Sequence, residues 1–262
     1  MVALQVIGGG RMGEALVGGL LAAGGLRLDG LRIVEPEPAR LAALQATFPG
    51  VDVAADPVAA EGHVIAVKPA DVSGVCRALA PTGPTRVLSI AAGVTIAALE
   101  TDLADGSRVV RAMPNTPAVV GVGAAAIAPG SSATDDDLAW AESLLGAVGT
   151  VVRVDEPLLD AVTGLSGSGP AYVFLVAEAM IDAGVLAGLP RDISRALSVQ
   201  TLLGAATLLA TGDDGPEALR AAVTSPGGTT AAGLQVLEQQ GLRAAFLDAV
   251  AAASERSRQL GK

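Results

Sequence analysis

The chain has 262 residues, 51% of them hydrophobic, and a formal net charge of −10. That is ample apolar material for one large domain or two smaller ones, and the charge excludes a nucleic acid or an anionic membrane as partner, since no basic patch compensates it. One cysteine, Cys76, excludes an intramolecular disulfide, and with one histidine, His63, no zinc site and no relay of the Ser-His-Asp kind is expected.

From residue 1 to 154 short β-branched runs alternate with helical spacing. Strands are expected over 2–7, 31–34, 64–67, 86–90, 109–111 and 151–154, and helices over 14–23, 39–47, 71–79 and 135–145. This is the grammar of a parallel α/β sheet. The first strand starts at once, without a basic segment and cleavage site, so no signal peptide is expected and the chain is placed in the cytoplasm.

Gly8, Gly10 and Gly13 follow that strand with the spacing G-x-G-x-x-G and, with Arg11 and Met12 between them, open the first helix. The first glycine makes the turn, the second lets a pyrophosphate reach the backbone, and the third lets helix and strand pack closely. A Rossmann-type dinucleotide-binding domain is therefore expected over 1–154. At the end of the second strand, Glu35 is read either as the acceptor of a ribose diol, which favours NADH, or as a solvated strand end. In the latter case Arg40 or Arg11 would pair a phosphate and favour NADPH. Asp56 is a weaker candidate for the adenosine end.

Ligands in open α/β sheets bind beyond the carboxyl ends of strands. Ala66-Val67-Lys68-Pro69 and Ala91-Ala92 are such junctions, with Lys68 read as positioning a ribose hydroxyl or else as a general acid. His63 opens a hydrophobic run and reads as a strand-edge residue.

After Asp155 the strands vanish. Helices over 160–163, 171–186, 193–209, 216–223 and 231–260 make 155–262 an all-α domain, whose helices are apolar around more of their circumference than a lone bundle needs. A partner subunit is expected to cover them. The interval between Arg195 and Asp213 is diluted by Gln200, Thr201, Gly204, Thr207 and Thr211, so a buried helix is expected there instead of a bilayer span. Within this region Thr224-Ser225-Pro226-Gly227-Gly228-Thr229-Thr230 precedes a helix and reads as a cradle for a small carboxylate, or else as an ordinary link between helices.

Three segments, Arg111-Ala112-Met113-Pro114-Asn115-Thr116-Pro117, Ser166-Gly167-Ser168-Gly169-Pro170-Ala171-Tyr172 and 219–237, together resemble pyrroline-5-carboxylate reductase. The resemblance runs from end to end, and its most specific part is the 223–230 segment. It implies reduction of 1-pyrroline-5-carboxylate to L-proline, the last step of proline biosynthesis, by NADPH or NADH. It also implies a homodimer interlocked through the helical domain, sometimes built into a ring of dimers. Glu35 departs from the Asn, Ser or Arg frequent in that family, and this puts an NADPH preference in doubt.

On this reading Ser225, Gly228, Thr229 and Thr230 hold the substrate carboxylate, and Thr230 is also the catalytic contact to the ring nitrogen, with a helix cap as its alternative. Asn115 and Lys68 border the cofactor, and the site forms between the domains. A dedicated acid is not needed, because a cyclic imine arrives protonated and hydride addition creates no oxyanion. The nearest rival, a β-hydroxyacid reductase, commonly carries a lysine or aspartate in the first long helix of its second domain. Here 172–186 has Glu178 and Asp182 but no lysine. A non-catalytic redox sensor would have no use for the carboxylate cradle.

Overall fold

A computed structural model describes residues 2–24 and 28–261. Its strands are β1 (Val2–Ile7), β2 (Leu31–Val34), β3 (Asp52–Ala54), β4 (Ala60–Ile65), β5 (Arg86–Ser89), β6 (Arg108–Met113), β7 (Gly123–Pro129) and β8 (Gly149–Arg153). The helices are α1 (Arg11–Ala22), α2 (Pro38–Thr47), α3 (Val72–Leu79), α4 (Ile96–Asp102), α5 (Asp135–Gly146), α6 (Leu159–Val162), α7 (Gly169–Leu186), α8 (Arg191–Thr211), α9 (Pro216–Ala222), α10 (Thr229–Gln239) and α11 (Leu242–Leu260).

All strands join one sheet in the order β3-β2-β1-β4-β5-β6-β7-β8. Every pairing is parallel except β6 with β7. The chain winds outward from β1 to β3 and then returns to the far side of β1. This reversal puts a switch point, where such sheets bind ligands, at the carboxyl ends of β1 and β4. Both faces are buried, as a parallel sheet requires. Leu4, Val6, Ile33, Val64 and Leu88 pack with Leu16, Leu20, Leu44 and Leu144 of α1, α2 and α5 on one side. Ile7, Val34, Ile65, Val87 and Val109 pack with Val72, Cys76, Leu79 and Leu99 of α3 and α4 on the other.

His63 is not at a strand edge. It lies inside β4, paired in register with Gln5 of β1 and Val87 of β5, and has no exposed surface. Gln5 uses its amide to fix the 58 backbone, accepting from Val58 N at 3.0 Å, and it donates from Nε2 to His63 Nδ1 at 3.0 Å.

At the amino ends of β5 and β6 the buried carboxylate of Asp137 ties α5 to the sheet. It accepts from Thr134 N at 2.9 Å and Thr134 Oγ1 at 2.7 Å, closing a reciprocal cap on α5, and from Arg86 Nε at 2.6 Å; Arg108 Nη1 lies 3.5 Å away. Burial alone would push Asp137 up, but the bonds from Thr134 and Arg86 and the charge of Arg108 hold it below the usual carboxylate range. Asp137→Ala strips the cap and leaves Arg86, stacked 5.3 Å from the Trp140 ring, without its partner. We expect a loss of about 3 kcal/mol, measured by urea unfolding at neutral pH.

The chain forms two compact units, Met1–Ser168 with Ala251–Lys262, and Gly169–Val250. These differ from a division at 154/155. Residues 155–168 belong with the sheet because Leu159 packs with Ile96, Ala126 and Ala128, and the end of α11 joins them because Ser257 Oγ donates to Asp160 Oδ1 at 2.6 Å. In the second unit α7 and α8 meet where Ser194 Oγ donates to Ile181 O at 2.7 Å, over Gly184. Tyr172 and Phe246 make an edge-to-face contact at 6.4 Å. The single helix expected over 231–260 is two helices, because Gly241 adopts a left-handed φ of 74° and ends α10. Leu175, Leu186, Leu203 and Leu208 stand exposed, so the helix expected to be buried between Arg195 and Asp213 is not covered within the chain; the helical runs Glu156–Leu186 and Arg191–Thr211 are long and apolar enough to cross a membrane by length and composition.

Candidate active site

The glycine turn after β1 does three separate jobs. Gly8 has φ 108°, and a Cβ there would lie 2.6 Å from the Ala66 carbonyl oxygen, so β1 and β4 approach each other closely at the switch point. A Cβ on Gly13 would lie 2.1 Å from the Gly8 carbonyl oxygen, so α1 packs directly on the turn. Gly10 is the N-cap of α1, carries no side-chain cap, and a Cβ on it would meet nothing within 4 Å. Its bare backbone borders open space at the start of α1, which fits a pyrophosphate. The cleft that Gly8 and Gly10 border has a volume of about 510 Å³ and is lined also by Glu35, Ala55, Ala66, Val67 and Lys68.

Two residues clasp the turn from outside. Glu35 accepts from Gly9 N at 3.0 Å and from Glu37 N at 3.0 Å. Arg40 of α2 donates from Nε to Gly9 O at 2.6 Å and from Nη2 to the Glu14 carboxylate. Glu35 is thus half-buried and engaged by backbone, though each carboxylate oxygen retains a lone pair for a ribose hydroxyl. Arg40 is engaged, whereas Arg11 is exposed on the first turn of α1.

The other expected cofactor residues divide. Lys68 is exposed at the end of β4, next to Pro69, which begins a short turn. Ala91 is buried and Ala92 exposed beyond β5. Met12 packs on the core beneath α1. Asp56 has an exposed side chain and gives its carbonyl to Arg32 Nη2 at 3.1 Å. Asn115 is buried with both polar ends occupied, accepting from Ala124 N at 2.8 Å and donating to Ser166 O at 3.0 Å. It clamps β7 to the wide helical turn Thr163–Gly167.

In the second unit, 224–230 folds as a tight link. Thr224 Oγ1 donates to Arg220 O at 2.6 Å, Gly227 has φ 68°, and Gly228 N donates to Ser225 O at 3.0 Å. Gly228 is therefore a bare N-cap for α10 and not an amide donor. A Cβ on it would lie 2.3 Å from Ser225 Oγ, which places that hydroxyl over the helix start. No side chain caps α10, and its first turn holds no acidic residue, unlike those of α8 and α9. Thr230 is the second residue of the helix and not its cap. Thr229 and Thr230, in the first turn, are both exposed.

Two family models match parts of the chain: one described as NADP oxidoreductase, coenzyme F420-dependent, over 3–93, and one described as pyrroline-5-carboxylate reductase dimerisation, over 156–260. The pyrroline-5-carboxylate reductase of Synechocystis is 46% identical over 100% of this chain and 99% of its own length. The chain belongs to the pyrroline-5-carboxylate reductase family. The Methanosarcina acetivorans reductase is 45% identical, over 98% of this chain and 97% of its own. Among solved structures, the Coxiella burnetii reductase superposes with a TM-score of 0.94 at 37% identity, covering 100% and 99% of the two chains. The Plasmodium falciparum pyrroline carboxylate reductase, solved with NADP bound, superposes at 0.85 and 29%, covering 100% and 98%. This reductase is accordingly an NAD(P)H-dependent oxidoreductase with a Rossmann-type domain and a helical dimerisation domain, and it forms homo-oligomers.

Glu14 and Glu37 are not among the expected site residues. The signal for Glu14 was its place in the first turn after the glycines. For Glu37 it was the carboxylate directly before Pro38, an N-cap followed by proline.

Proposed function

We propose that this reductase converts 1-pyrroline-5-carboxylate to L-proline, with the substrate carboxylate held at the start of α10. The observation that carries this reading is the uncapped helix start at Gly228, with its hydroxyls free to face a ligand. When bound at the glycine turn, the reduced nicotinamide supplies hydride; the remaining tasks fall to the chain. The N–H groups of Thr229 and Thr230 and the Ser225 hydroxyl fix the carboxylate, and the Thr230 hydroxyl accepts from the protonated ring nitrogen. Hydride addition at the imine carbon turns that C=N–H cation into a neutral secondary amine, which then takes a proton from water. No side chain has to give up a proton in the transfer, so the chain contributes chiefly orientation.

Thr230→Ala is expected to lower kcat about tenfold, less than removal of a donor to a developing oxyanion. Its melting temperature should stay unchanged, since Thr230 is not a cap. The assay is steady-state oxidation of NADH and NADPH with 1-pyrroline-5-carboxylate. Dinucleotide binding without turnover would move the substrate to another imine or the protein to a sensor.

Glu35 favours a ribose with free hydroxyls and hence NADH. The apolar faces of α7 and α8 are covered by a second copy in a soluble, cytoplasmic homodimer and not by lipid.

A further inference from the structure

In a doubly wound sheet, a carboxylate at the end of the second strand receives the ribose hydroxyls, or an arginine nearby accommodates a 2′-phosphate. A helix N-terminus next to it would add its own attraction for an anion. This chain has both the arginine and the helix start, and its own carboxylates occupy both. Glu37, the N-cap of α2, accepts from Ala39 N at 3.2 Å and Arg40 N at 2.8 Å, so a carboxylate already fills that helix start. The Arg40 guanidinium is held by the Gly9 carbonyl and the Glu14 carboxylate. Glu35 completes the corner with its bonds to Gly9 N and Glu37 N. Glu14 pairs with the guanidinium, while Glu37 and Glu35 hold backbone N–H groups at the same corner. The exposed cations Arg11 and Lys68 stand on the first turn of α1 and beyond β4.

We propose that Glu37 and Glu14, acting with Glu35, select NADH over NADPH by closing the 2′-phosphate position: one fills the α2 N-terminus and the other consumes Arg40. The proposal rests on the reading of the cleft as a nicotinamide-dinucleotide site and adds two specificity-determining residues to it. A 2′-phosphate would have to displace Glu37 from its own helix and approach three like charges.

The test is direct binding to the intact wild-type protein, with NADH and NADPH followed by nicotinamide fluorescence and adenosine 2′,5′-bisphosphate by calorimetry. NADH should bind at least about tenfold more tightly than NADPH, as unfavourable charge at this range implies. Glu37→Ser keeps a capping hydroxyl but removes the charge, and Glu14→Gln releases Arg40. Each should narrow the NADPH-to-NADH ratio of Kd values about tenfold and strengthen binding of the bisphosphate.

Equal or tighter binding of NADPH by the wild type would overturn the proposal, the more so if Arg11→Gln abolished it. So would an unchanged ratio in both variants at normal melting temperature, or equal weakening of both dinucleotides by Glu37→Ser, which would make Glu37 a helix cap only. Binding of neither dinucleotide would instead overturn the cofactor reading itself.

Discussion

Gly13→Ala is expected to cost about 3 kcal/mol of unfolding free energy and to weaken dinucleotide binding more than about a hundredfold. The added Cβ would lie 2.1 Å from the Gly8 carbonyl oxygen, which belongs to backbone and has little freedom to yield, since Gly8 itself is pressed against the Ala66 carbonyl. Either α1 lifts from the sheet or the turn opens, and both disturb the N–H groups that face the cleft. Gly10→Ala provides the contrast. Gly10 has ordinary extended dihedrals, and its Cβ would point into open space, so stability should fall by a few tenths of a kcal/mol while affinity still drops. Urea unfolding and dinucleotide titration on both variants check the pair. Equal stability losses would mean that packing against Gly8 is not what Gly13 provides.

His63 should make the protein acid-sensitive by about 3 kcal/mol. Burial pushes its imidazole down from 6.5 to about 4. The neighbours agree with that direction: Gln5 offers an N–H to Nδ1, so a proton there would set donor against donor, and buried Nε2 has no partner. Because the folded value lies below the unfolded one, the unfolded chain binds the extra proton between them. The contribution is complete above about pH 6.5 and lost as the pH falls toward 4. His63→Leu should remove this part of the slope, leaving only the carboxylates. Unfolding free energies of both proteins from pH 7.5 to 4 test it, and parallel curves would refute it.

Much of the first unit was legible because its signals are local. The glycine spacing after β1, the β-branched runs of β1, β2, β5 and β8, and the proline-glycine link before α10 each state their own geometry. What stayed hidden depends on partners distant in sequence. β7 reads Gly-Ala-Ala-Ala-Ile-Ala-Pro, with almost no β-branched pattern, and is a strand because β6 and β8 flank it. β3 has only three residues, too short for alternation to register. The strand holding His63 begins at Ala60, earlier than its apolar run suggests, and Gly62 there is covered by Trp140 from α5. Nothing local to Met113-Pro114-Asn115 announces that Asn115 bonds to Ala124 N and Ser166 O. Gly241 is a helix stop set within a continuous alanine-rich stretch, whose strong helix propensity masks it.

Because Ala251–Lys262 belongs to the same compact unit as the sheet, that unit is discontinuous in the chain. Gly261 fits against the Gly93 carbonyl, and Ser257 bonds to Asp160, so the sheet domain lacks these contacts until the last helix has been synthesised. Vectorial folding can raise the glycine turn and most of the sheet early, yet the domain is finished only once α11 has been added. A fragment carrying the sheet alone would keep the nucleotide cleft's primary ligands while leaving the 91–93 loop without its backing. Grafts and truncations of this enzyme should therefore carry α11 along with the sheet.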